Sequence, residues 1–196
     1  MLLAPLFWGG AFGSTKHVLT ELPPLTIAAV RFLCAGTLMT LWACWRGEWD
    51  WPAVRDSWLG LLGLGIVGIF GYNALFNIGM QYTSAINGAL VIVANPVTTS
   101  LVAVLFLGEH WSFRQGLGAS LSFLGVLTVI TQGDLSTLFS LSLNKGDLIL
   151  LAAVLTWTGY ASLGKIVMRR ISPTLATAVS MVVGGFLLLL ASLAER

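Results

Sequence analysis

Apolar runs of about 20 residues recur along the whole length of this sequence, and the interruptions between them are short, polar and rich in turn formers. A helix rises about 1.5 Å per residue, so each run can cross a hydrocarbon core about 30 Å thick. Seven runs are read: Leu2 to Leu19, Thr26 to Trp45, Trp58 to Tyr82, Ala85 to Gly108, Phe113 to Thr131, Asp147 to Met168 and Leu175 to Leu193. Of the 196 residues 57% are hydrophobic and only 9% charged. A soluble domain carries about 25% charged residues, so this chain lacks the charge to cover itself in water. The expected fold class is all-α, a polytopic transmembrane helix bundle of about seven spans.

Several functions are excluded on the same grounds. A net charge of +2, scattered along the chain, gives no basic surface for nucleic acid. Cys34 and Cys44 fall in one predicted helix about 15 Å apart, beyond disulfide reach, and read as buried small hydrophobes. GLGIVG, Gly63 to Gly68, fits a dinucleotide-binding pattern, but no strand precedes it and no acidic residue follows at the ribose-binding distance. His17 and His110 are predicted on opposite faces of the membrane, so no metal site is expected, and no nucleophile–base pair supports an enzyme. No cofactor is expected. The first run lacks the charged start and cleavage site of a signal peptide, and reads as a membrane helix itself.

Lys and Arg set the expected orientation. With the amino terminus cytoplasmic, Arg46, Arg55, Arg114, Arg169 and Arg170 fall inside, while Lys16, Lys145 and Arg196 lie near outer ends. Pro24 and Pro173 suit the first turns of their helices, where a missing N–H costs nothing. Gly60, Gly63, Gly65, Gly68 and Gly71 predict close helix packing in the third run. Pro96, after Asn95, predicts a break in the fourth.

The sequence also repeats. LFWGGAFGSTKHV, Leu6 to Val18, aligns without gaps on LTWTGYASLGKIV, Leu155 to Val167, at an offset of 149 that pairs Trp8 with Trp157, Gly10 with Gly159 and Lys16 with Lys165. The register continues through Pro24/Pro173, Ala29/Ala178 and Gly36/Gly185. Five spans separate the copies, and an odd number inverts the second relative to the first. Inverted repeats characterise secondary transporters, whose halves rock about a central site.

The Trp-x-Gly to Lys segment, PPLTIAAVRFLCAG with Arg31, YNALFNIGMQYTSAINGALVIVANPV and LVAVLFLGEHWSFRQGLGASLSFLGV together resemble the EamA family of the drug/metabolite transporter superfamily. The resemblance implies ten helices in two five-helix inverted repeats and export or exchange of small metabolites through a central cavity. On that reading residues 1–133 form the first repeat, 134–146 a linker and 147–196 the first two helices of the second, with helices eight to ten not represented. The implied setting is a multi-pass protein of the cell membrane, expected to be a bacterial inner-membrane exporter of amino acids, nucleobases or drug-like compounds working by alternating access. A non-transporting membrane fragment or interaction subunit is the alternative. Expected partners are the lipid bilayer and a small-molecule substrate, not nucleic acid, with homo-oligomerisation left open.

Candidate site residues emerge from polarity at depth. Trp8, Trp157 and Tyr160 are candidate cavity aromatics, the last two sharing a helix face at i, i+3. Asn73 and Asn77 form an i, i+4 polar stripe, and Asn95 marks the helix break. Lys16 and Lys165 read first as snorkelling helix-end residues and second as attractors of an anion. Arg31, whose repeat counterpart is Ser180, reads equally as a functional and as a packing charge. Glu109 reads as a solvated anchor at the end of the fourth run. No acidic residue lies at mid-span, which favours facilitated diffusion, or a coupling group in the helices not represented, over a carboxylate proton relay within these spans.

Overall fold

A computed structural model describes residues 23–108, 110–131 and 144–195, and every regular element among them is a helix. Helix α1 (Pro24–Trp45) begins at Pro24 in the first turn, as expected, and stops before Gly47, which takes the left-handed φ of 67°. A short α2 (Trp51–Asp56) is capped by Asp50, whose carboxylate accepts from Ala53 N at 3.0 Å. Helix α3 (Trp58–Tyr82) comes next. Its middle, Leu64–Gly71, is π-helical, a widening that the glycine count alone does not announce.

The fourth run divides into α4 (Ala85–Ile92) and α5 (Asn95–Leu107), with a turn at Val93 and Ala94 and Pro96 in the first turn of α5. Pro96 therefore starts a helix just after the break. Helix α6 (Phe113–Thr131) occupies the predicted fifth run. Helix α7 (Lys145–Val167) opens with a capping box of Asn144 and Asp147. Helix α8 (Pro173–Ser192), capped by Ser172, runs into a 3-10 turn at Leu193–Glu195. Among the described residues five helices are long and apolar enough to cross a membrane: Pro24–Trp45, Trp58–Tyr82, Leu90–Leu107, Lys145–Val167 and Pro173–Glu195. The run Leu2 to Leu19 lies outside the described residues.

Glu195 fixes the sense of the α1–α8 pair. Its two carboxylate oxygens accept from Leu25 N at 3.2 and 3.1 Å, so the end of α8 meets the start of α1 and the two helices run antiparallel. The contact also places an anion on unsatisfied N–H groups at a helix N-terminus. Farther along, a Cβ added to Gly36 would lie 3.0 Å from Val182 N, and one added to Gly185 would lie 3.0 Å from Leu33 N. The repeat offset of 149 pairs Gly36 with Gly185 and Leu33 with Val182. Each contact is therefore the other turned about a pseudo-twofold axis, the signature of an isologous interface. This is the inverted-repeat arrangement that the sequence register implies.

Small residues make this packing close. Ala28 and Ala29 of α1 and Ala176 and Ala178 of α8 are buried, and Gly65 of α3 sits against Val183. Large apolar side chains point outward instead, among them Leu38, Leu105, Phe106 and Leu155. In water such a surface would be costly; against lipid tails it is matched solvent. Cys34 and Cys44 lie on this outer surface, which corrects the expectation that they are buried. A small apolar residue has no need of the interior where the solvent is itself apolar.

Candidate functional site

The π segment of α3 brings an aromatic cluster together with α7. Gly68, inside that segment, lets the Tyr160 ring lie directly on the α3 backbone, where any Cβ would overlap the ring. Tyr72 begins the next α-helical stretch. Its ring centroid is 5.1 Å from that of Trp157 and 5.8 Å from that of Phe76, and Trp157 is 5.6 Å from Tyr160. These separations lie in the favoured range for offset and tilted aromatic pairs. Trp157 and Tyr160 do share one face, as their spacing predicts. Tyr160 approaches Ser180 of α8, which brings α7 up to the α1–α8 pair.

A polar group adjoins the aromatics. Arg31 Nη2 donates to Asn73 Oδ1 at 3.1 Å, crossing from α1 to α3, and the guanidinium carbon lies 4.8 Å above the Phe32 ring centroid. Asn73 is the neighbour of Tyr72, whose phenol lies within electrostatic range of Arg31. Both stripe residues are buried, at 5% and 6% exposure, and each amide has an internal role. Asn73 Nδ2 donates to Ile69 O at 2.7 Å and Asn77 Nδ2 to Asn73 O at 2.8 Å. The Asn73 amide is thereby oriented with its oxygen towards Arg31, while Asn77 extends the stripe along the backbone.

The remaining candidates are placed less centrally. Asn95 Oδ1 is buried beside the helix break without a hydrogen-bond partner among the described residues. Near it, Thr98 Oγ1 lies 3.0 Å from Thr158 Oγ1, joining α5 to α7. Lys165 is exposed in the last turn of α7, the helix-end position its stem favours. Trp8, Lys16 and Glu109 lie outside the described residues. Among the described residues no cluster of His, Cys, Asp and Glu could hold a metal ion. An apolar groove of about 630 Å³ lies between α4, α5 and α6, lined by Val93, Val97, Thr98, Trp111 and Phe123.

Asp147 is a buried polar residue that the sequence does not single out. It is 1% exposed, and its carboxylate accepts from Thr83 Oγ1, from Asn87 Nδ2 at 3.2 Å and from Asn144 N at 3.0 Å. Asn144 completes the group by donating from Nδ2 to Thr83 Oγ1 at 3.2 Å. The Asn-x-x-Asp spacing at a helix start was the available signal, since it matches a capping box. It does not announce that the end of α3 and the start of α4 would close over it.

The chain matches the EamA-like transporter family over residues 1–131 and 144–196. It is 36% identical over 188 residues to the uncharacterized transporter YyaM of Bacillus subtilis, covering 96% of this chain and 62% of that protein. An uncharacterized transporter of Archaeoglobus fulgidus is 30% identical, with 96% and 64% covered. The WAT1-related protein At3g02690, chloroplastic, of Arabidopsis thaliana is 28% identical, with 96% and 46% covered. The chain thus spans between 46% and 64% of the length of these relatives. A solved crystal structure shares the fold with a TM-score of 0.72 at 18% identity, covering 93% of this chain and 61% of that one. With nearly its whole length matched, this membrane-spanning chain belongs to the EamA-like transporter family.

Proposed function

We propose that the protein is part or all of a secondary carrier that exports or exchanges small metabolites across the cell membrane by alternating access. The observation that carries this reading is the antiparallel α1–α8 pair, in which Gly36 meets Val182 as Gly185 meets Leu33. Two inverted elements meeting on a pseudo-twofold axis can exchange their arrangements at little energetic cost, which alternating access requires. Beside that axis, Tyr72, Trp157 and Tyr160 supply apolar faces, and Arg31 and Asn73 supply hydrogen-bonding groups. A few placed polar groups among aromatics are what a small-molecule site uses.

The distribution of charge supports a cytoplasmic amino terminus. One end of the bundle holds Arg46, Arg55, Arg169 and Arg170, and a crevice of about 340 Å³ there is lined by Arg169, Arg170, Glu48 and Asp50. The other end, where Thr83 meets Asp147, carries Lys145. The arginine-rich end is the cytoplasmic one by the positive-inside rule.

The test is counterflow in proteoliposomes holding the longest reading frame that contains these 196 residues. Vesicles preloaded with pooled amino acids, nucleobases and organic acids should take up labelled members of the pool faster than protein-free vesicles. Equal uptake for every member would remove the transport reading.

A further inference from the structure

Arg31 is the least explained charge among the described residues. It lies two turns into the apolar span of α1, and it is an exposed residue. A guanidinium carries five N–H donors, and the described residues give it one hydrogen bond, to Asn73. Among those residues no carboxylate pairs with it; the one ion pair between side chains there joins Arg46 to Glu48. A cation at that depth is costly without a partner or water. Its side chain also crosses to α3 instead of running along α1 to the membrane surface, so it does not simply snorkel.

Its setting is also prepared. Asn73 is held by its bond to Ile69 O, which leaves Oδ1 as the acceptor aimed at α1. That bond fixes one edge of the guanidinium and leaves the others free among the described residues. On the adjacent position of α3 stands Tyr72, and the Tyr72–Trp157–Tyr160 row extends from there. A forked cation therefore adjoins a continuous aromatic face.

We infer that Arg31, positioned by Asn73, is the anion-recognising group of the site, and that the substrate is a monocarboxylate whose apolar part packs on Tyr72 and Trp157. Binding of the acid stands on this geometry alone, and only its translocation rests on the transport reading. The planar guanidinium matches a carboxylate in a two-point contact. A single cation balances a single negative charge; a phosphate monoester would bring a second one with no counter-charge among the described residues. The Arg31 position is asymmetric, its repeat mate being Ser180, so one such anion is held per pair of repeats.

The experiment uses three acid–ester pairs with the purified full chain in detergent: 3-phenylpropionate, 4-methylpentanoate and N-acetylphenylalanine against their methyl esters, with phenyl phosphate as a fourth probe. Calorimetric titration should show at least one acid binding about tenfold or more tighter than its ester, the range of a charge-assisted hydrogen bond. Arg31→Gln should remove that preference, Arg31→Lys should keep part of it, and Asn73→Ala should weaken the acid while preserving the acid–ester ratio in part. Three results overturn the inference: esters binding as well as every acid, phenyl phosphate binding tighter than the acids, or a folded Arg31→Gln protein that retains the preference. If Arg31→Gln does not fold, the acid–ester ratios of the unaltered chain and of Arg31→Lys decide. Counterflow separates the two claims: acid binding without any exchange removes transport alone, and exchange of neutral solutes without acid preference removes this inference alone.

Discussion

The Thr83 hydroxyl at the end of α3 donates to the Asp147 carboxylate in the first turn of α7, so two residues 64 positions apart in the chain are joined at one buried acceptor. Asn87 of α4 and the Asn144 backbone share the same carboxylate. Asp147→Ala removes three hydrogen bonds at a site with 1% exposure. Each costs about 1–3 kcal/mol if water does not replace the acceptor. Thermal unfolding in detergent should show a clear loss of stability for Asp147→Ala. Asp147→Asn should also be destabilised, because its amide turns a donor towards one of the three donors. An unchanged midpoint for both would mean that water serves as well as the carboxylate.

The pseudo-twofold contact makes a paired prediction. Gly36→Leu and Gly185→Leu each force a side chain against the backbone of the opposite helix, at Val182 N and Leu33 N. Overpacking costs about 1–3 kcal/mol, and the two variants should lose similar amounts because their surroundings are related by symmetry. Gly118 in α6 has nothing within 4 Å of an added Cβ. Gly118→Ala should therefore hold or gain stability, by up to about 1 kcal/mol of helix propensity. A loss at Gly118 equal to that at Gly36 would show that glycine substitution itself, not the α1–α8 contact, sets the effect.

Gly68 and Tyr160 offer a double-mutant cycle. An added methyl at Gly68 meets the Tyr160 ring, so Gly68→Ala should push that ring away from Trp157 and Ser180. Tyr160→Ala alone loses the ring's packing on Gly68 and Trp157. Together they should cost less than the sum, with a coupling of about 1 kcal/mol or more read from unfolding midpoints. Additive losses would place the ring elsewhere.

Much of the architecture was legible because membrane helices are written in length and apolarity. Pro24, Pro173 and the Trp157/Tyr160 spacing each lead to the position observed, and the 149-residue register led to the Gly36/Gly185 pairing. What was not legible depends on neighbours. The π segment at Leu64–Gly71 has no sequence rule of its own, yet it seats Tyr160 on Gly68. Asp147 looks like an ordinary first-turn acid until α3 and α4 cover it. Cys34 was misplaced because burial preferences learned in water reverse their meaning against lipid. Arg31 was visible as a charge within an apolar span, but its link to Asn73 needed the crossing of α1 and α3.

Orientation can be tested with residues already present. Cys44 is exposed near the end of α1, two residues from Arg46, at the arginine-rich end assigned to the cytoplasm. Lys145 lies at the opposite end, with its Nζ 4.0 Å from the Tyr82 ring centroid. In intact cells, a membrane-impermeant methanethiosulfonate should not label Cys44 in a Cys34→Ser background, and it should label Lys145→Cys in a background lacking both native cysteines. Inside-out vesicles should give the reverse. Labelling of Cys44 from outside, with protection of Lys145→Cys, would invert the assignment and place Arg169 and Arg170 on the external face, against the positive-inside rule.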